Sequence, residues 1–277
     1  MVNGYMPNTL EDALKIRREN EVVLYAGGTD LMVRKEESIP YLFLNLIPKL
    51  QEVTEDKETI YIGAACIYSD LLQNKVIPDI LKKSIATIAS PAIRNAATIG
   101  GNIGNASPAG DTLPVLYALD ARLKIRTLDS EKEVNIKDFI IGPKKTILEK
   151  DAIIEQIIIP KKRADIPFYY QKVGARKADA ISKLSFAGIY QLENGRLTDF
   201  ACAFGAVGPT VIRATSIEQM LLGKTMEEVR NLIDDVINQY SLVINPIDDQ
   251  RSTAIYRKKV SLNLLGDFLQ VICNAKE

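Results

Sequence analysis

An α+β fold in two successive parts is what this 277-residue sequence predicts. As far as Pro160, short apolar runs bounded by Gly, Pro or Asn alternate with stretches of helical spacing. At 160–167 Lys, Arg and Asp replace the apolar residues, which marks a linker and divides the chain at 165/166. Beyond it strands come first and helices last, the pattern of an antiparallel sheet with helices on one face.

Each element follows from its own residues. Asn8 or Thr9 can cap a first helix that places Leu10, Ala13 and Leu14 on one face and Glu11 and Asp12 in its first turn. Residues 22–25, 41–47 and 59–65 read as strands, and 68–74 and 77–89 as helices. Strands at 123–127 and 152–159 follow, the second stopped by Pro160. In the C-terminal part, strands are expected at 168–174, 184–192 and 197–206, with Asn194-Gly195 as a two-residue hairpin turn between the last two. Helices are expected at 216–222, 226–240 and 252–271, the last with a buried stripe of Ile255, Val260, Leu264, Leu265, Phe268 and Ile272.

The segment from Thr98 to Asp111 is the most informative. It reads as a fourteen-residue loop with Gly100, Gly101, Gly104 and Gly110 among the short polar side chains of Asn102, Asn105 and Ser107. Loops of that length without periodicity tend to be functional or disordered, and Ile99, Ile103 and the alanines favour a packed one. Asp111 then stands as an N-cap ahead of Pro114 and an apolar helix, a start that suits a polar or anionic ligand. A shorter loop, Ala26-Gly27-Gly28-Thr29-Asp30-Leu31, follows the strand at 22–25. Glycine-rich segments are often plain turns. Two Gly-Gly-polar loops in one chain nevertheless suggest a clamp on an extended, phosphate-bearing ligand.

Much chemistry is excluded. There is no histidine, so Ser-His-Asp and Cys-His catalysis and most zinc sites lack their central residue. Cys66, Cys202 and Cys273 are far apart in apolar settings, too few for a cluster and unlike a disulfide framework; they read as core thiols in a reducing compartment. Lys+Arg and Asp+Glu are both 35, which leaves no electrostatic footprint for nucleic acid. No P-loop occurs, and Gly205-Ala206-Val207-Gly208 lacks a glycine of the dinucleotide fingerprint and runs into Pro209. With no leader pattern at the N-terminus and no apolar run long enough for a membrane span, a cytoplasmic protein is expected.

Residues 26–31 and 97–111 resemble the two FAD-binding loops of the flavoprotein (medium) subunit of molybdenum hydroxylases, the xanthine dehydrogenase and carbon monoxide dehydrogenase type. Tyr170-Gln171-Lys172-Val173-Gly174-Ala175-Arg176 with 178–182 resembles the opening of that family's smaller C-terminal domain. The resemblance implies a two-subdomain FAD-binding fold of the vanillyl-alcohol-oxidase type over 1–165, split near residue 56, and a flavoprotein C-terminal α+β domain over 166–277. It implies non-covalent FAD, with Ala26, Gly27, Gly28, Thr29, Asp30 and Leu31 around the pyrophosphate. Thr98, Gly101, Asn102 and Asn105 would complete the pyrophosphate and ribityl contacts, and Asp111 would accept from the ribityl or flavin region. Lys172 would stand near the flavin as a tuning cation, and Arg94 would hold the loop. A cation about 4 Å from a unit negative charge is worth roughly 4 kcal/mol at a dielectric of 20, a ceiling on the order of 90 mV. Lys172 has the alternative of a surface strand lysine, and Asp111 that of a helix cap only.

The same resemblance implies an oxidoreductase subunit without metal of its own. Molybdenum cofactor would sit in a large partner subunit and [2Fe–2S] clusters in a small one, NAD or another acceptor would take the electrons, and the complex could be dimerised. The competing expectation is a stand-alone flavin-dependent reductase or oxidase of the same fold.

Overall fold

The computed structural model describes residues 4–34 and 38–275. Packing divides the chain into two compact units, and both are discontinuous. The first comprises Met1–Ile77, Ala89–Ser107 and Asp120–Lys161; the second comprises Pro78–Ile88, Pro108–Leu119 and Lys162–Glu277. The contact units thus differ from a linear division at 165/166, because helices at 79–86 and 112–118 pack with the C-terminal sheet.

In the first unit, Gly4–Tyr5, Tyr41–Phe43 and Val23–Tyr25 form a small parallel sheet with Tyr41–Phe43 in the middle. Helix Leu10–Glu19, capped by Thr9, buries Leu10, Ala13 and Leu14 with Leu42, Ile47, Leu50 and Ile153. A five-stranded antiparallel sheet runs in the order Val53–Glu55, Thr59–Gly63, Ile153–Pro160, Arg122–Arg126, Glu131–Asn135. Its middle strand is buried along nearly its whole length, as a strand covered on both faces must be. The ladder slips by one residue between Ile154 and Gln156. Glu155 at that bulge is buried, paired with Lys49 at 2.9 Å and Arg126 at 3.4 Å.

The second unit is built on a three-stranded antiparallel meander, Phe168–Val173, Leu184–Glu193 and Arg196–Gly205. Asn194 and Gly195 both take positive φ, 51° and 70°, as a two-residue hairpin turn requires. Helices Met226–Val243 and Ala254–Cys273 cover one face and close a core of Phe186, Phe200, Phe204, Phe268 and Tyr240. A Cβ at Gly188 would lie 2.5 Å from the Phe268 ring, so glycine lets that helix reach the sheet. Helix Thr112–Ala118 meets the same two strands from the residues that alternate with this core, where a Cβ at Gly205 would meet Pro114 and Ser185.

Three local expectations are corrected. Residues 98–111 are not one loop: Ile99–Asn105 is an α-helix, because Thr98 caps it through Gly101 N–H and its glycines let the axis press against Ala64. Asp111 stands at the start of Thr112–Ala118 with helical backbone and makes no capping bond. In the last helix Ile255 is 81% exposed; the buried side carries Arg257 and Ser261 with Leu264, Leu265, Phe268, Leu269 and Ile272. Arg257 is held there by Asp249 at 2.6 Å and the Ala206 carbonyl at 3.3 Å, which pair its charge, while its Nε has no acceptor among the described residues. Gly205 ends a strand, Ala206 turns at φ 62° and the next helix starts only at Thr215, so no helix opens from the glycine turn as a dinucleotide fingerprint requires.

Candidate functional site

The loop at 26–31 leaves the C-terminal end of strand Val23–Tyr25. Gly27 has no room for a side chain: a Cβ would lie 2.0 Å from the Ala96 carbonyl oxygen and 2.9 Å from Ala97 Cα. Gly28 turns at φ 68°, and its missing Cβ admits the Tyr25 ring, which packs on Phe43 at 4.8 Å. These contacts bring the loop against the residues just before Thr98. Within the described residues the N–H groups of Gly27, Gly28, Thr29 and Asp30 donate to no acceptor. A run of uncommitted backbone donors around a positive-φ glycine is a recognised cradle for an anion.

The second segment is organised differently. Pro91–Arg94 is a helical turn capped by Ser90, and Arg94 donates back to the Ala89 carbonyl at 3.5 Å. Ala97 accepts from Tyr68 N–H, and Thr98 bridges to Ile67. The first N–H groups of helix Ile99–Asn105 are all spent inside the protein: Ile99 on Cys66, Gly100 on Ala64, Gly101 on the Thr98 hydroxyl and Asn102 on Thr98 O. This segment therefore offers a ligand its side chains rather than its backbone. Gly101 faces the first loop, since a Cβ there would meet only Thr98 Oγ1 at 2.7 Å and Ala26 Cβ at 3.7 Å.

Lys144 was not legible as a site residue. Its ammonium donates to Asp30 Oδ2 at 3.0 Å and to Asn105 Oδ1 at 3.2 Å, one contact on each glycine segment.

Asp111 and Lys172 belong to the second unit and pair with each other. Lys172 Nζ donates to Asp111 Oδ2 at 2.7 Å and to the Thr87 carbonyl at 2.9 Å, with the side chains 10% and 7% exposed. Ser182 donates to Asp111 Oδ1 at 2.5 Å, and Ser84 to the Asp111 carbonyl at 2.8 Å. Burial pushes the Asp111 carboxyl up from its ordinary range, against the opposing pull of Lys172 and Ser182. Burial likewise raises the Tyr170 phenol, with Asp111 adding to it. Arg176 bonds the Ala178 and Asp179 carbonyls and closes its own loop. The three cysteines are buried and free, and burial lifts the Cys66 thiol to about 11, a protonated core residue at neutral pH.

Among the described residues no group of three His, Cys, Asp or Glu side chains could hold a metal ion. No described helix is long and apolar enough to cross a membrane.

Residues 1–162 match the family model for the FAD binding domain in molybdopterin dehydrogenase, and residues 169–272 that for the CO dehydrogenase flavoprotein C-terminal domain. The chain belongs to this flavoprotein family. It is 30% identical to the glyceraldehyde dehydrogenase medium chain of Sulfolobus acidocaldarius over 260 residues, 91% of each chain. It is 29% identical to the xanthine dehydrogenase FAD-binding subunit of Escherichia coli O157:H7 over 76% of each. In fold it superposes on a chain of carbon monoxide dehydrogenase from Hydrogenophaga pseudoflava with a TM-score of 0.87 and 24% identity, covering 96% of this flavoprotein and 94% of that chain. FAD binding is the family's shared property, and the donor set of the first unit fits it: a diphosphate needs uncommitted N–H groups, and 27–30 supply them.

Proposed function

We propose that this chain is the FAD-carrying electron-transfer subunit of a molybdenum hydroxylase complex. It would take electrons from the [2Fe–2S] clusters of a small partner subunit and pass them to NAD or another acceptor. The molybdenum cofactor would sit in a large third subunit. What carries the reading is the pairing of a family match over both parts of the chain with a donor-rich glycine loop seated against the Thr98 segment.

FAD when bound supplies the exchange between one-electron and hydride transfer. The chain's part is to hold and orient it. Gly27 to Asp30 would donate N–H groups to the diphosphate, with Ala26 and Leu31 shaping the loop ends and Thr29 adding its hydroxyl. Thr98, Asn102 and Asn105 would offer side chains to the pyrophosphate and ribityl portions, and Gly101 the space beside Ala26. Asp111, with both carboxylate oxygens already held by Lys172 and Ser182, would present a fixed acceptor to the ribityl or flavin region. Residues 1–165 would act as the FAD-binding domain and 166–277 as the C-terminal domain.

Purification of the native protein tests the assignment. Co-migration of flavin, molybdenum and iron with two further polypeptides, and NAD reduction by the intact complex, are the expected results. Obligate interfaces of roughly 2,000 Å² or more should keep the complex together at high salt. A yellow protein free of molybdenum and iron would instead favour a stand-alone reductase or oxidase.

A further inference from the structure

On the reading that the two glycine segments hold FAD, we infer that Lys144 is a positioning residue for the cofactor's diphosphate. Lys144 lies in the tight turn between strands Ile140–Gly142 and Lys145–Thr146. It takes φ 55°, a conformation that favours glycine over any side chain. Its N–H donates to the Ala106 carbonyl at 2.9 Å, which docks the turn on the end of helix Ile99–Asn105. From there the side chain returns to Asn105 and Asp30.

Three consequences follow from an ammonium at that point. It ties Asp30 of the first loop to Asn105 of the second segment, so the two keep one spacing. It neutralises the Asp30 carboxylate, which would otherwise repel a diphosphate seated on the N–H groups of 27–30. An ammonium has three N–H bonds, and two have acceptors within the described residues, so the third is available to a phosphate oxygen. The Lys144 side chain is 43% exposed and that of Asp30 60%, so the pair adds little to folding stability. Its contribution falls on ligand affinity, and this separates it from a plain surface salt bridge.

The test is calorimetric titration of the flavin-free full-length chain with FAD, with the thermal midpoint as a second readout. Lys144→Gly relaxes the positive-φ turn and removes the ammonium. The expected result is an unchanged or higher midpoint with an FAD Kd raised on the order of tenfold at low salt, the size of a lost charge-assisted hydrogen bond. The gap should narrow as salt rises. Lys144→Arg should stay close to wild type. Adding Asp30→Asn to Lys144→Gly should recover part of the affinity, the share due to the unneutralised carboxylate, and leave the share due to the lost N–H donor. A Lys144→Gly chain that binds FAD as wild type does would overturn the inference, and so would one that fails to fold. A wild-type chain with no affinity for FAD would instead overturn the functional reading beneath it.

Discussion

Lys172→Met is expected to destabilise the chain by about 3–5 kcal/mol, the range for removing one partner of a buried ion pair. Both side chains are almost wholly buried at 2.7 Å separation, and Asp111 would be left with Ser182 alone. The loss should depend on pH. Burial already raises the Asp111 carboxyl, and without Lys172 it climbs further. An acid whose folded pKa lies above its unfolded value of about 3.9 adds stability at low pH that is lost as pH rises through the folded pKa. The deficit of the variant should therefore be smaller at pH 5 than at pH 8 in paired urea titrations. The pair also limits how far Lys172 could act as the flavin-tuning cation that the family resemblance implies. A cation with a carboxylate at hydrogen-bond distance projects little net charge, and without Lys172 the further upward shift of the buried Asp111 carboxyl favours its neutral form. The two-electron potential should then move far less than the 90 mV or so open to an unpaired lysine. A pH-independent deficit below 1 kcal/mol or so would mean that the pair is not buried in solution.

The second large effect separates two glycines that look equivalent in sequence. Gly27→Val forces a side chain into the Ala96–Ala97 backbone, which has no flexible group to yield. A destabilisation of at least about 3 kcal/mol is expected, with flavin lost along with the fold. Gly101→Val meets only the Thr98 hydroxyl and the Ala26 methyl. It should lose about 1 kcal/mol from the disturbed cap, partly offset by the better helix propensity of valine. Its fold should survive while flavin is lost, because the new side chain occupies the space between the two segments. Circular dichroism and flavin content measured together decide it. Full flavin occupancy in a folded Gly101→Val chain would remove Gly101 from the site.

Local chemistry made much of this legible in the sequence. Asn194-Gly195 announced its hairpin because few residue pairs tolerate two positive φ angles, and the Val22 to Tyr25 run announced the strand that delivers the first loop. The helix at Ile99–Asn105 was hidden by its own glycines, which weaken helix propensity; tertiary contacts with Ala64 and Cys66 override that preference. Edge strands such as Glu131–Asn135, nearly all polar, carry no apolar alternation to read. Lys144 and the Asp111–Lys172 pair rest on contacts between residues 114, 39 and 61 positions apart, which no local pattern encodes. The same holds for the helices at 79–86 and 112–118, whose unit depends on what their apolar faces meet.

This chain is expected to carry FAD without a covalent bond, and acid precipitation tests that most directly. There is no histidine to attach a flavin, and all three cysteines are buried. The protein as purified should show a flavin absorbance band, and acid should release about one FAD per chain into the supernatant, the stoichiometry of a single cofactor held by two loops. A colourless protein that does not take up FAD would contradict FAD binding, and colour that stays with the precipitate would contradict a non-covalent bond.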